Sequence, residues 1–214
     1  WGAIRSCLTS SLITQRGRSE SSLEISELIA FEAKCAEAFN AGLIRAPCHL
    51  SGGNEEQLIE IFKDIRPQDW VLTTYRWHYH ALLKGIPQEW VMEQIMASKG
   101  MNIGNVEHRF LTSAIVGGLL PVAIGIAAGI KRNGGDEKVW VFCGDMAATT
   151  GACWESTFYA EGHDLPVTFV VEDNAMGCNS PTLDCWGKND SEKIMNYKYA
   201  RKWPHVGAGK WVAF

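Results

Sequence analysis

The sequence has no excess of basic charge: 20 lysines and arginines against 24 aspartates and glutamates leave a formal net charge of −4. Holding nucleic acid or an anionic membrane surface calls for a positive field, so neither partner is expected. A long uninterrupted apolar run is missing too. The longest, Ala114 to Ile130, is broken by Gly117, Gly118, Pro121, Gly125 and Gly129, whereas a membrane span takes about 18 to 20 apolar residues; a soluble protein is expected. There is no CxxC pair. The seven cysteines (Cys7, Cys35, Cys48, Cys143, Cys153, Cys178 and Cys185) are an odd number scattered through apolar stretches. That usage argues against zinc and fits a reducing compartment, with the cytoplasm as the expected location. Acidic residues are lacking over 1–19, which carry Arg5, Arg16, Arg18, Ser6, Ser10, Ser11 and Ser19. Such a composition also suits a transit peptide to a mitochondrial or plastid matrix, but a flexible tail over 1–20 is the preferred reading.

What remains, 214 residues with 46% hydrophobic content, suffices for one domain with a sizeable core, placed at 21–214. Ser21 and Glu24 have capping-box spacing, and Ile25, Leu28, Ile29, Ala36, Phe39 and Leu43 follow at helical spacing. After a Gly52-Gly53 break, Asn54 to Gln57 starts a second helix with Leu58, Ile61, Phe62 and Ile65 on one face, ended by Arg66-Pro67. Trp70 to Thr74 reads as a short strand, and Pro87 opens a helix carrying Trp90, Val91, Ile95 and Met96. Val116 to Ile130 has no polar face and predicts a buried helix. Gly125 and Gly129 there suit close packing; no strand immediately precedes them, which argues against a dinucleotide fingerprint. Lys138 to Cys143 and Pro166 to Val171 are β-rich runs separated by the helical stretch Gly151 to Glu161. Strand, helix, strand at this spacing predicts parallel buried strands, and hence an α/β fold with an open, mostly parallel sheet and helices on both faces.

In open α/β sheets ligands bind outside the carboxyl ends of the strands. Those positions are Gly144-Asp145 and Glu172-Asp173-Asn174. A parallel pair linked by one helix brings Asp145 and Asn174 to the same edge. A carboxylate and an amide carbonyl are hard oxygen ligands of the kind Mg²⁺ takes in small number, completing its shell with phosphate oxygens and water. Free backbone N–H groups near Met146 and Ala147, at a helix start, would face the same anion.

The string Gly144-Asp145-Met146-Ala147-Ala148, then Gly151, Glu155, Leu165-Pro166 and Glu172-Asp173-Asn174, resembles the thiamine-diphosphate motif of the 2-oxo acid dehydrogenase alpha-subunit family. Upstream, Pro47-Cys48-His49-Leu50, Asp69 to His78 and Ser113 to Gly117 fall in that family's order and spacing, so the resemblance covers roughly residues 25 to 182. It implies thiamine diphosphate and Mg²⁺ as cofactors, with Asp145, Asn174 and the main-chain carbonyl of Met176 on the metal. Gly144, Met146 and Ala147 would lie against the cofactor. Tyr75 and Arg76 would grip the diphosphate, backbone groups at Ala114 and Val116 would meet the aminopyrimidine, and His49 and His78 would line the way to the reactive carbon as the catalytic pair. The remaining histidines, His80, His108, His163 and His205, are expected to be structural or solvated.

Met146 stands where the family usually has Gly, Asp173 where it has Asn, and Met176 where it has Tyr; none of the three changes removes a proposed ligand. Only about 40 residues follow Asn174, so a minimal version of the family is expected. The resemblance also implies a separate beta-type chain carrying the pyrimidine half of the site, in a homodimer or heterotetramer acting on a 2-oxo acid. Two alternatives stand beside this reading: the N-terminal half of a split transketolase acting on a ketose, and a non-catalytic binding or scaffolding relative.

Overall fold

The computed structural model describes residues 23–187 and 194–209. Helices α1 (Ile25–Asn40) and α2 (Glu55–Phe62) lead into strand β1 (Trp70–Thr74), followed by α3 (His78–Leu83) and α4 (Gln88–Met96). Next come β2 (Gly104–Asn105), β3 (Phe110–Ser113), α5 (Leu119–Arg132), β4 (Val139–Gly144), a single turn α6 (Asp145–Ala148), α7 (Gly151–Gly162) and β5 (Val167–Asp173). A small hairpin, β6 (Met176–Gly177) with β7 (Ser180–Pro181), precedes α8 (Thr182–Trp186), and β8 (Met195–Lys198) completes the sheet. The six-stranded sheet runs β2-β3-β1-β4-β5-β8. All its neighbouring pairs are parallel except β2 with β3. The expected parallel sheet is therefore what forms, and the carboxyl ends of β1, β3, β4, β5 and β8 share one edge.

Side-chain alternation along the strands divides the core into two layers. Trp140 and Phe142 of β4, Val71 of β1 and Val170 of β5 join Leu28, Phe31, Cys35 and Phe39 of α1 and Leu58 of α2 on one face. Val139, Val141 and Cys143 of β4 point the other way, with Leu72 and Val171, onto Leu120, Ala123 and Ala127 of α5 and Cys153 and Ala160 of α7. Each large side chain fully removed from water in this way contributes about 1.5–3 kcal/mol. Helices thus cover both faces of the sheet.

Several local expectations are corrected. Helix α1 is capped by Glu24 and Glu27, which exchange side chain and backbone reciprocally; Ser21 and the tail at 1–20 lie outside the described residues. Helix α2 ends at Phe62, short of Arg66-Pro67, and Asn54 at its start makes no side-chain cap. Its amide nitrogen instead donates to Glu172 Oε1 at 3.3 Å and to the Tyr197 hydroxyl at 3.0 Å, which turns the side chain towards a buried acid and away from the helix N–H groups. Helix α5 is only partly buried: Leu120, Ala123 and Ala127 face the sheet while Val122 is exposed. Apolar composition all round the helix gave no way to tell its covered side from its open one. A Cβ at Gly125 or Gly129 would meet nothing within 4 Å, so close packing is not what these glycines provide. Cys35, Cys48, Cys143 and Cys153 are free and buried, and Cys178 and Cys185 are free and exposed.

Candidate active site

The sheet edge collects the residues that the motif singles out. Strand β4 runs out at Gly144, leaving Asp145 at the first position of α6 with 1% of its surface exposed. Its carboxylate accepts a short hydrogen bond from the Thr182 hydroxyl. Burial pushes the Asp145 carboxyl up; the Thr182 bond opposes that shift and the charge of Asp173 adds to it. One register position away, β5 ends in a tight loop in which Asp173 Oδ1 accepts from Ala175 N at 2.9 Å and Asn174 Oδ1 from Met176 N at 3.0 Å. Ala175 takes a left-handed φ of 57° to make this turn, and its carbonyl accepts from Thr182 N at 2.9 Å. Thr182 therefore ties the two proposed metal-ligand segments together. Sequence reasoning missed it, since a threonine opening a five-residue helix carries no motif.

Met146 lies over Gly177 of the hairpin: a Cβ on that glycine would sit 2.4 Å from Met146 Cγ. Trp186 Nε1 donates to the Met146 sulfur at 3.1 Å, which fixes the side chain across the hairpin. The thioether thus fills the space above α6 while leaving Asp145 tied to Thr182. After β3, Ala114 N donates to Asn102 Oδ1 at 3.0 Å, and Val116 stands exposed at the edge. Between the ends of β1, β3 and β4 lies a cavity of about 10 Å³ lined by Thr74, Ser113, Ile115, Gly117 and Cys143, room for about one water. A wider trench of about 370 Å³ lies at the far edge, between α2 and β8, lined by Glu56, Glu60, Ile61 and Met195. No residue of the motif reaches it, and its carboxylates would repel an anion.

Tyr75 and Arg76 follow β1 directly. Arg76 is buried, and its guanidinium donates to Leu50 O at 2.6 Å and His205 O at 3.2 Å, with His205 Nδ1 also at 3.2 Å. The Tyr75 ring sits 4.3 Å from His49 and 5.9 Å from His205, between centroids. His49 Nδ1 lies 2.7 Å from His205 O; a carbonyl only accepts, so Nδ1 carries the proton and Nε2 is the basic nitrogen. Burial pulls the His49 pKa down to about 4, helped by the charge of Arg76 and opposed by the bond to His205. The ring is neutral at pH 7 and able to take a proton rather than give one.

His78, the first residue of α3, is 1% exposed, with Nδ1 3.4 Å from Glu32 Oε1 and its ring beside Trp77 and Phe31. Glu32 also accepts from Ser51 N at 2.5 Å, so one carboxylate of α1 joins the loop carrying His49 to the helix carrying His78. His80 is fully buried beside Glu172, consistent with a structural role. His205 is not merely solvated: it touches His49, Tyr75 and Arg76 at once. The segment after β8 stands at the same sheet edge as Asp145 and Asn174, a placement that depends on β8 and could not be read without that strand.

The His49 geometry predicts a pH dependence. A histidine held neutral contributes stability above its unfolded pKa of about 6.5 and loses it as pH falls toward the folded value. Between about pH 6.5 and 4 the unfolded chain binds one more proton at this position, so stability should fall by up to about 1.4 kcal/mol per pH unit from this residue. Urea unfolding across pH 4.5–7.5 should show a flatter acid limb for His49→Gln than for the parent chain. Parallel limbs would mean that His49 titrates normally.

A parallel α/β sheet with a buried aspartate after one central strand and a hard-oxygen loop after the next is an architecture suited to binding a metal-bound phosphate group at its edge. Comparison with known proteins narrows that class. The dehydrogenase E1 component family matches residues 24–194, and the chain belongs to that family, the thiamine-diphosphate-dependent 2-oxo acid dehydrogenase alpha subunits. It is 31% identical over 154 residues to the pyruvate dehydrogenase E1 component subunit alpha of Rickettsia bellii, covering 67% of this chain and 47% of that one. Against the Zymomonas mobilis subunit of the same name identity is 35% over 161 residues, covering 69% and 45%. The human mitochondrial somatic form is 30% identical over 154 residues, covering 68% and 40%. The chain thus spans somewhat less than half the length of these relatives.

Proposed function

We propose that the chain is an alpha-type subunit that binds thiamine diphosphate with Mg²⁺ and, with a beta-type partner, decarboxylates a 2-oxo acid. The observation that carries this is the convergence of Asp145, the Asn174–Met176 loop and Tyr75-Arg76 on one edge of a parallel sheet. The donor set fits the metal. Among the described residues no three His, Cys, Asp or Glu side chains gather to hold an ion. One carboxylate, one amide and one main-chain carbonyl make a set suited to Mg²⁺, leaving positions for phosphate oxygens and water. Asp145 also supplies the electrostatic reason for a cation, since it is buried and raised by a neighbouring acid.

The bound cofactor would supply carbanion stabilisation after decarboxylation. This chain's residues would do the rest. Asp145, Asn174 and the Met176 carbonyl would hold the metal, and Arg76 and Tyr75 would receive the diphosphate. Ala114 and Val116 would pass the pyrimidine ring towards the partner. His49, neutral with Nε2 basic, would accept a proton at the reactive end; His78, beside Glu32, would stand behind it. The partner reading is supported by exposed apolar side chains: Ile115 and Val116 after β3 at the site, Leu183 on α8, and Trp154 and Phe158 along α7.

Titrating the chain, in Mg²⁺, with thiamine diphosphate and with unphosphorylated thiamine tests the assignment. The diphosphate should bind at least about tenfold tighter, given the charge-assisted contacts that it adds. Equal affinity would overturn the phosphate site.

A further inference from the structure

Helix α8 has only five residues, yet its two ends touch different parts of the proposed metal site. At its start the Thr182 hydroxyl donates to Asp145 Oδ2, and the Thr182 N–H donates to the Ala175 carbonyl at 2.9 Å. At its other end Trp186 Nε1 donates to the sulfur of Met146, the residue after Asp145, at 3.1 Å. The helix therefore bridges α6, which carries Asp145, and the loop that carries Asn174 and Met176. Gly187, with a left-handed φ of 68°, ends it there.

The loop needs such support. Ala175 and Cys178, on either side of Met176-Gly177, take φ of 57° and 55°, a region that residues with a β-carbon hold only where their surroundings fix them. Support comes from two sides. After β8 the chain turns back across the sheet edge as a strap over residues 199–207, in which Tyr199 N donates to Asp173 O at 2.9 Å and the Tyr199 hydroxyl accepts from Asn174 Nδ2 at 3.1 Å. Thr182 holds the other side. It is 1% exposed, so water does not compete for its two bonds. A threonine hydroxyl has one proton to give, whereas a carboxylate has about four lone-pair positions. The bond to Oδ2 thus fixes the plane of the Asp145 carboxylate and leaves oxygen lone pairs for a metal.

We propose that Thr182 is a positioning residue of the metal site, holding the Asp145 carboxylate and the Asn174–Met176 loop in one fixed relation so that the site prefers Mg²⁺ to Ca²⁺. This role rests on the metal reading above and adds to it the orientation of the ligands. Mg²⁺ demands near-ideal octahedral geometry, while the larger Ca²⁺ accepts more oxygens in looser arrangements. A carboxylate free to turn therefore harms Mg²⁺ first. Trp186 secures the far end of α8: its partner Met146 lies so close over Gly177 that a Cβ there would overlap it, which keeps the helix, and Thr182 with it, against α6.

Calorimetry on the 214-residue chain tests this, with thiamine diphosphate titrated once in Mg²⁺ and once in Ca²⁺. Thr182→Val keeps the size and removes the hydroxyl. It should weaken binding in Mg²⁺ by about tenfold or more, the loss typical when a group that orients a metal ligand is removed, and weaken binding in Ca²⁺ much less. Thr182→Ser, which retains the hydroxyl, should recover most of the Mg²⁺ affinity. Equal losses in the two metals, or a Thr182→Ser chain as weak as Thr182→Val, would mark Thr182 as a purely structural contact and overturn the proposal. Should Thr182→Val show no cooperative melting, Thr182→Ala makes the same comparison without setting a methyl group against the carboxylate. A parent chain that binds thiamine diphosphate equally in Mg²⁺ and in chelator overturns the metal reading and this role together. A parent that needs Mg²⁺, beside a Thr182→Val chain that binds just as well, overturns this role alone.

Discussion

Replacing Asp145 with asparagine is expected to weaken thiamine diphosphate binding by roughly a hundredfold or more, and chelating Mg²⁺ should do the same to the parent chain. The reason is charge. Asp145 is 1% exposed, and Asp173, at 2%, adds to the upward pressure on its carboxyl. Two unit charges about 4 Å apart repel by about 4 kcal/mol at an effective dielectric of 20, so a diphosphate brought to this edge is rejected unless a cation stands between. Asparagine keeps the size and an oxygen acceptor for Thr182 but removes the anion that attracts the metal. The sign for the free protein is the reverse. A carboxyl whose folded pKa is raised costs stability at neutral pH, and the cost disappears as pH falls through that raised value. Asp145→Asn without ligand should therefore melt no lower than the parent, while calorimetry with Mg²⁺ shows the binding gone. Binding that survives both the substitution and the chelator would sink the metal assignment.

How much of this was legible depended on whether a residue's role was written in its neighbours. Strands β1, β4 and β5 were readable because Val71-Leu72, Val139 to Cys143 and Phe169 to Val171 are unbroken apolar runs, the pattern of strands buried on both faces. Asp145 and Asn174 followed from their places just beyond those strands. Strand β8 was not readable: Met195-Asn196-Tyr197-Lys198 sits on the sheet's edge, half-exposed, and its polar composition does not separate it from a loop. With the strand missed, so was the strap beyond it, and with the strap the contacts of His205 and Tyr199. The same blindness affected α5, whose apolar surface was read as buried on all sides. Local sequence records that a side chain avoids water but not which protein covers it. His78 marks the other limit. Its place two residues after Arg76 suggested the reactive end, yet only coordinates reveal Glu32, 46 positions earlier in the chain, at 3.4 Å.

Purified alone, the chain is expected to decarboxylate 2-oxo acids at a rate near background, and to gain turnover only when mixed with a beta-type chain supplying the pyrimidine half of the site. The sheet edge ends in apolar surface where that half would dock. Ile115 is 73% exposed at the end of β3, beside the residues proposed to meet the pyrimidine, and Phe158 on α7 is 78% exposed. Gly117 backs onto Thr150 and Ala152 at the start of α7, which makes the two elements neighbours. Trp186 of α8 reaches back to Met146, so the apolar rim also borders α6. Large hydrophobic side chains left exposed at and beyond a polar site are characteristic of protein interfaces. Phe158→Asp should therefore leave thiamine diphosphate binding by the single chain unchanged, yet prevent the partner from raising turnover. Steady-state decarboxylation of pyruvate, measured on the single chain and after titration with the beta-type chain, decides the matter. Full turnover without a partner, or a Phe158→Asp chain that responds to it normally, would show that the site is complete without that face.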